Sequence, residues 1–190
     1  MNVAIYMKIA NKDLCNALLE NNTKDSILSS VLLTHLCCEN IAEGWICAHC
    51  NSLNLFNDED NKIRIDFYSK IKIAKNLNLP KSVYNCFKTI NRLRNAFAHQ
   101  TPGQKKLEIP DSIIDSLSDN IKNIESEYKI YHWNTRYFYL KPNELAAIPN
   151  HAKLKMLLAE LSGTMIQIIM IEHNDEFVKF MDPDNQLDLQ

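Results

Sequence analysis

The sequence predicts an all-α protein, and three observations support this fold class. Only 3 of the 190 residues are glycine and 6 are proline, which is too few turn-forming residues for a β-rich architecture. Several long segments repeat apolar residues at the three- and four-residue spacing of an amphipathic helix. Apolar residues make up 46% of the chain, enough for a sizeable core. We therefore expect residues 1–190 to form a single helical domain.

The N-terminal part is predicted to contain a short helix followed by a long central one. The short helix covers about residues 12–21, and the central helix begins near Thr23 or Asp25, either of which can cap it. An acidic loop is expected to follow over residues 51–62. The apolar spacing predicts that one side of the central helix lies in the core, with Ile27, Val31, Leu32, Ala42, Trp45 and Ile46.

Two helices are predicted in the middle of the chain. The first runs from about Asp66 to Asn78, and Leu79-Pro80 separates it from a second helix that begins near Ser82. The second helix is strongly amphipathic, because its apolar residues recur at helical spacing. They form a buried stripe of Val83, Phe87, Ile90 and Phe97, with Leu93 at its edge.

Two further helices are predicted in the C-terminal part, over about residues 111–131 and 150–173. An aromatic segment at 131–139 lies between them, and it is either a short hairpin, a packed connector or a set of rings that stack on bases. The last ten or so residues are expected to fray. The last long helix should face the core with Leu154, Leu157, Leu158, Leu161 and Ile168.

A candidate functional motif lies near the end of the second amphipathic helix, where Arg94 and His99 are five positions apart. Arginine offers a permanently charged donor fork to phosphate, and histidine exchanges a proton near neutral pH. Asn91, Asn95 and His99 share one face through their four-residue spacing, and the long Arg94 side chain reaches toward it. Since residues 101–103 end the helix, His99 should be exposed at its C-terminal turn, which favours imidazolium. This pattern is suited to phosphodiester chemistry.

The charge of the chain is unevenly distributed around this motif. Residues 67–107 contain nine lysines and arginines and no acidic residue, although the whole chain has a net charge of -2. Such a block either attracts a polyanion or consists of solvated lysines whose acidic partners come from elsewhere in the fold. The candidate RNA-contacting residues nearest the motif are Lys88, Arg92, Lys105 and Lys106.

The six cysteines are interpreted as reduced thiols, since we find neither an export signal nor an apolar run long enough to cross a bilayer. We therefore expect a soluble cytoplasmic protein with no membrane association. Cys15 and Cys86 are predicted to be small core residues. A zinc site is the less favoured alternative for the remaining cluster, which lacks a second close pair of ligands, and we expect no metal and no cofactor. That cluster comprises Cys37, Cys38, Cys47, His49 and Cys50.

The span from about Ser26 to Lys122 resembles a HEPN domain, a family of four to five helices. Its signature is Arg, a polar residue, and then His after four to six intervening residues, and Arg94 through His99 matches the form with four. The segment from Phe67 to Leu93 is also similar to the mannitol operon repressor branch, in which an early helix carries a Glu that Glu39 matches. The resemblance implies an up-and-down bundle with a core at about 26–122 and a C-terminal helical extension at about 140–180.

The resemblance further implies a homodimer whose two motifs face each other in one cleft, and a metal-independent endoribonuclease acting in bacterial defence or stress. His99 would move the protons, Arg94 would neutralise the phosphorane, and Asn95 would orient the phosphate or His99. Asn91 would support the site, and Glu39 would hold Arg94 in a bidentate pair.

A second reading is a non-catalytic regulator or protein-interaction module resembling the mannitol operon repressor. In that case the pair of Arg94 and Glu39 would seal a dimer interface, and His99 would cap its helix. His35 and Glu39 are predicted to form a satisfied buried pair rather than a catalytic one. The expected partners are a second copy of the chain, RNA, and a protein partner or antitoxin.

Overall fold

The computed structural model describes residues 1–12, 27–56, 64–99, 108–130 and 136–182, and within these ranges all regular structure is helical. The prediction of an all-α fold is confirmed. A single 3-10 turn over Arg136–Tyr139 supplements the α-helices of the described residues. These are α1 (Val3–Ala10), α2 (Ile27–His49), α3 (Phe67–Asn76), α4 (Lys81–Ala98), α5 (Asp111–Tyr128), α6 (Pro142–Ala147), α7 (Asn150–Glu172) and α8 (Asn174–Met181).

Helix α2 is the centre of the bundle, because it packs against α1, α3, α4 and α7. Helices α4, α5 and α7 complete the bundle, with α5 between the other two. The side chains of Trp45, Phe87, Leu117 and Leu161 from these helices are almost fully buried in one core. The long, apolar central helix expected from the sequence therefore has the predicted role.

A short helix near the start of the described chain, α1, was not predicted from the sequence. Helix α1 covers Val3–Ala10, and the Asn2 side chain caps it by accepting a hydrogen bond from the Ile5 amide at 3.2 Å. Residue 12 lies in the turn after α1, and residues 13–21 of the predicted helix are outside the described residues. Gly44 permits the close packing of α2 against α1. A Cβ at position 44 would come within 3.2 Å of the Tyr6 carbonyl oxygen.

One prediction for the central helix is wrong. Leu32 was expected in the core, but it is 45% exposed. Leu28 and Leu36, four residues away on either side, are 38% and 40% exposed, so the three form an exposed leucine stripe along α2. Both Leu32 and the buried Val31 satisfied the helical spacing, and only the packing of neighbouring helices decided between them. The proposed caps Thr23 and Asp25 lie outside the described residues.

Helices α3 and α4 begin and end close to the predicted positions. Asp66 caps α3, accepting hydrogen bonds from the Ser69 amide at 3.0 Å and the Ser69 hydroxyl at 2.7 Å. Pro80 precedes α4, whose first residue is Lys81. The predicted stripe of α4 is buried in full, and Leu93, expected at its edge, is buried with it. The opposite side of α4 is therefore left for the polar residues of the motif.

Helix α7 ends within one residue of its predicted boundary and buries the leucines expected to face the core. By length and composition it could also cross a membrane, with a mean hydropathy of 1.5 over 18 residues. However, 67% of that window is buried against the rest of the fold, as in a core helix. A further helix, α8, was not predicted and covers Asn174–Met181. Residues 183–190 of the end that was expected to fray lie outside the described residues.

Candidate functional site

The Arg94 to His99 motif forms the C-terminal turn of α4. His99 is the C-cap residue, and its amide donates a hydrogen bond to the Asn95 carbonyl at 3.2 Å. His99 and Asn95 are exposed, whereas Arg94 is half-buried. The predicted exposure of His99 is confirmed, and its imidazole is accessible to a ligand in the single chain.

Within one chain, Arg94 and His99 lie on different sides of α4. Five residues of helix separate them by about 7.5 Å along the axis and by roughly 140° around it. The Arg94 guanidinium instead donates a hydrogen bond from Nη1 to the Asn95 side-chain oxygen at 3.2 Å. Asn95 thus contacts both residues of the motif, because its side chain accepts from Arg94 and its carbonyl accepts from the His99 amide.

The expected pair between Glu39 and Arg94 is wrong. Glu39 instead accepts a hydrogen bond from Lys70 of α3, with Nζ 2.5 Å from Oε1, and Glu43 on the next turn of α2 accepts from the same ammonium. Lys70 is only 6% exposed, so its ammonium is buried against the two carboxylates of α2. Burial alone favours the neutral amine, but the hydrogen bonds and charges of Glu39 and Glu43 outweigh burial and raise the pKa of Lys70.

His35 connects this buried ion group to the motif helix. Its ring packs edge-on against Phe67, with centroids 4.6 Å apart, and its side chain hydrogen-bonds with Asn91 of α4. Burial lowers the pKa of His35, the charge of Glu39 opposes that effect, and the charge of Arg94 adds to it. His35 therefore contacts the motif helix. In place of the predicted buried pair of His35 and Glu39, Glu39 is hydrogen-bonded to Lys70 and His35 to Asn91.

We call the resulting polar group the inner cluster. It brings together both residues predicted to support the site, Glu39 and Asn91, and places Arg94 at its edge. Sequence spacing within α2 placed His35 beside Glu39, but it contained no signal for the contacts across to α3 and α4. The members of the inner cluster are His35, Glu39, Glu43, Lys70, Asn91 and Arg94.

The predicted RNA-contacting residues fall into two groups. Arg92 is exposed on α4, and Lys88 is half-buried with its ammonium 5.5 Å from the centroid of the Tyr84 ring. Lys105 and Lys106 lie outside the described residues. The sequence interpretation missed Tyr84, although its position four residues before Lys88 on an amphipathic helix was the available signal.

The cysteines of α2 are mostly inaccessible. Cys37, Cys38 and Cys47 are buried, and Cys50 is exposed. Burial raises the pKa of Cys38, and it raises that of Cys47 to about 11, so these thiols stay protonated and are poor metal ligands at neutral pH.

The other residues of the predicted thiol group are also accounted for. His49 hydrogen-bonds through Nδ1 with the Trp45 carbonyl at 2.8 Å. Cys86 is buried as predicted, and Cys15 lies outside the described residues. In the part of the chain that the structure describes, no three His, Cys, Asp or Glu side chains are grouped for a metal.

The aromatic segment between α5 and α7 is described only from residue 136. Residues 136–139 form a 3-10 turn in which Tyr137 is buried and Tyr139 is 65% exposed. Residues 131–135 lie outside the described residues. The described part therefore agrees with a packed connector rather than with a hairpin.

Comparison of the chain with protein-family models, with curated proteins and with solved structures finds no match. The resemblance to HEPN domains stays a prediction from the residues of the motif. The exposed end of α4 and the surfaces beside it are therefore the features from which a function can be inferred.

Proposed function

We propose that the protein is a HEPN-type, metal-independent endoribonuclease of bacterial defence or stress, in which Arg94 and His99 of two protomers form one RNA-cleaving site. The observation that carries the proposal is the placement of the motif. His99 and Asn95 are exposed at the end of α4, and Arg94 is partly exposed beside them. An acid-base group and a phosphate-binding group are thus both accessible on one short turn.

The chemistry needs two histidines in different protonation states. A neutral His99 accepts the proton of a ribose 2'-hydroxyl as the oxygen attacks the adjacent phosphorus. The P–O5' bond then breaks, and the His99 imidazolium of the second protomer donates a proton to the leaving 5'-oxygen. Arg94 stabilises the charge that grows on the phosphorane oxygens. The products are a 2',3'-cyclic phosphate and a 5'-hydroxyl, and both histidines have exchanged their protonation states.

The need for an acid and a base supports a site built from two chains, since each chain supplies one His99 at the end of α4. The exposed leucine stripe of α2 supplies a contact surface for the second copy. Its leucines and His35 lie within about 100° of arc around α2, so a chain packed on the stripe would border the inner cluster and Arg94. Apolar side chains exposed in a row are typical of a protein–protein interface.

A second candidate function is a non-catalytic interaction module, and the same leucine stripe favours it. A partner seated on the stripe can bind without RNA chemistry, and the bond of Arg94 to Asn95 then serves only to fix the end of α4. The two candidates differ in whether His99 performs acid-base catalysis.

The decisive experiment is RNA cleavage in the presence of EDTA by the wild-type protein, Arg94→Ala and His99→Ala. Wild-type protein should release cyclic-phosphate ends, and both variants should lose the activity. His151→Ala, a histidine substitution on α7, is the matched control and should cut normally. Intact RNA with the wild type, or equal cutting by the variants, would sink the nuclease proposal and favour the interaction module.

The two-chain site is tested by light scattering. Wild-type protein should be dimeric, and Leu32→Glu should be monomeric and inactive because a charge then replaces an apolar contact. Leu53→Glu alters a leucine of similar exposure, 39%, outside the stripe, and should leave the dimer intact. A wild-type monomer that cuts RNA would contradict the composite cleft.

A further inference from the structure

We propose that a surface group of two tyrosines and three lysines on α3 and α4, of which Tyr84 and Lys88 are half-buried, is a binding surface for single-stranded RNA that leads to His99. This surface, the tyrosine–lysine patch, consists of Tyr68, Lys72, Lys75, Tyr84 and Lys88. Its link to cleavage rests on the proposed function, but its binding of RNA is measured separately.

The patch places each ammonium beside an aromatic ring. Lys72 Nζ lies 4.3 Å from the centroid of the Tyr68 ring, and the ammonium groups of Lys75 and Lys88 lie 5.2 and 5.5 Å from that of Tyr84. The two hydroxyl groups are neighbours, since burial, the charge of Tyr68 and a hydrogen bond with Tyr68 raise the pKa of Tyr84. Two helices thus form one continuous surface of rings and cations.

Within the part of the chain that the structure describes, no carboxylate forms a salt bridge with a lysine of the patch. In the described ranges, Lys72, Lys75 and Lys88 have no salt bridge, in contrast to Lys70 on the same helix as the first two. A ring face attracts an ammonium but leaves its charge in place. Exposed cations that lack acidic partners are available to phosphate groups.

The patch residues of α4 lie on the same side of the helix as Asn95 and His99. Tyr84, Lys88, Arg92, Asn95 and His99 follow at spacings of three or four, so they share the face opposite the buried stripe. Fifteen residues of helix place Tyr84 and His99 about 22 Å apart along the axis. A strand bound at the patch can therefore extend over Arg92 and Asn95 to His99.

The chemistry of the patch selects an unpaired strand. Tyrosine rings stack on bases whose faces are free, while lysines contact the backbone without reading sequence. A duplex keeps its base faces stacked and cannot use the rings. Because neither ring nor ammonium reads the 2'-hydroxyl, single-stranded DNA should bind the patch with similar affinity, and only RNA should be cut.

Binding is tested in the His99→Ala background, where the proposed cleavage cannot consume the probe. Fluorescence anisotropy with a labelled oligouridine should show that Tyr84→Ala and Tyr68→Ala each weaken binding by about tenfold. Tyr84→Phe keeps the ring and should bind like the parent, which separates stacking from misfolding. Tyr139→Ala removes a more exposed tyrosine outside the patch and should have no effect.

The outcomes separate this proposal from the nuclease. If the wild type cuts RNA while Tyr68→Ala and Tyr84→Ala bind oligouridine as tightly as the parent, the patch is not the binding surface and the nuclease stands. If the wild type leaves RNA intact while binding still depends on both rings, the patch stands without the nuclease. Absence of oligouridine binding, or stronger binding of an acidic peptide to the same tyrosines, overturns the patch.

Discussion

Two groups of lysines on helix α3 differ sharply in their surroundings. In the inner cluster, Lys70 is buried between Glu39 and Glu43 of α2. In the tyrosine–lysine patch, Lys72 and Lys75 are exposed and lie over aromatic rings. The first lysine joins two helices, whereas the other two keep their charge available to a ligand. Helix α3 thus uses one lysine to pack against α2 and exposes two others on the surface that we propose to bind RNA.

This difference corrects the charge argument made from the sequence. The block of nine basic residues allowed either a footprint that attracts a polyanion or solvated lysines whose acidic partners come from elsewhere in the fold. Acidic partners from another helix are found at Lys70, whereas attraction of a polyanion by the lysines of the patch is a proposal. Lys70 is paired, while the lysines of the patch have no acidic partner among the described residues. Fewer than nine of these basic residues therefore contribute to the exposed positive surface.

The largest effect on RNA cleavage is expected for a substitution of the exposed His99. His99→Ala should lower the rate of RNA cleavage by about 10² to 10⁴-fold, because general acid-base help is lost. The free energy of unfolding should not change, since His99 is exposed. Cleavage rates and urea denaturation of the same preparations check both statements. A large loss of stability in His99→Ala would mean that His99 stabilises the fold, as the residues of the inner cluster do.

The next effect is expected in the inner cluster. Lys70→Met removes the cation between two half-buried carboxylates and should lower the free energy of unfolding by about 3 kcal/mol. Lys72→Met, two residues away on the exposed side, should leave it unchanged and is the matched control. Urea denaturation measures the free energy of unfolding of both variants. Equal values would show that Lys70 stabilises the fold no more than the exposed Lys72 does.

A pH effect should follow from His35. Because its pKa is lowered by burial, the unfolded chain takes up a proton near pH ~6.5 before the folded chain does. The stability that His35 contributes is thus present above that pH and is lost as the pH falls. Wild-type protein should lose more stability than His35→Gln between about pH 6.5 and 5.

Denaturation at pH 8 provides the control for this prediction. Imidazole with an ordinary or lowered pKa is neutral there in both states, so the difference between wild type and His35→Gln reports only packing and hydrogen bonding. Parallel stability curves from pH 8 to 5 would contradict a buried, neutral His35.

The smallest effect concerns the salt dependence of RNA binding. Replacing Lys72 or Lys88 by Gln should reduce the slope of log K against log salt by about 0.7, because one phosphate contact is lost. Lys70→Gln should not change the slope, since its charge is compensated inside the fold. Anisotropy titrations at several salt concentrations measure the slopes. If only Lys70→Gln changes the slope, Lys70 rather than Lys72 or Lys88 contacts the RNA backbone.

The helices of the fold were largely predictable, because local spacing carries the information for them. The predicted boundaries near Asp66, Pro80 and Asn150 agree with the structure, in which Asp66 caps α3 and a proline precedes both α4 and α7. Helix α1 was missed because it is only 8 residues long, although Asn2 was a valid cap signal. Short helices depend on tertiary packing for their stability, and local sequence is a weak guide to them.

The candidate site was predictable only where one helix contains it. The face shared by Asn91, Asn95 and His99 follows from spacing within α4. The partners of Glu39 and His35 come from other helices, and spacing within α2 is silent about them. For this reason the pair predicted between Glu39 and Arg94 was wrong, and the role of Lys70 was not foreseen.

By itself, the sequence determined the all-α class, the buried stripe of α4 and the exposed position of His99, because helical periodicity and chain breaks are local properties. Only the tertiary structure decided which of several equivalent residues face the core or pair with each other. Leu32 became exposed, Lys70 became buried, and Tyr68 met Tyr84 across two helices. Each of these results depends on how neighbouring helices pack, since burial and ion pairing are set by residues distant in the chain.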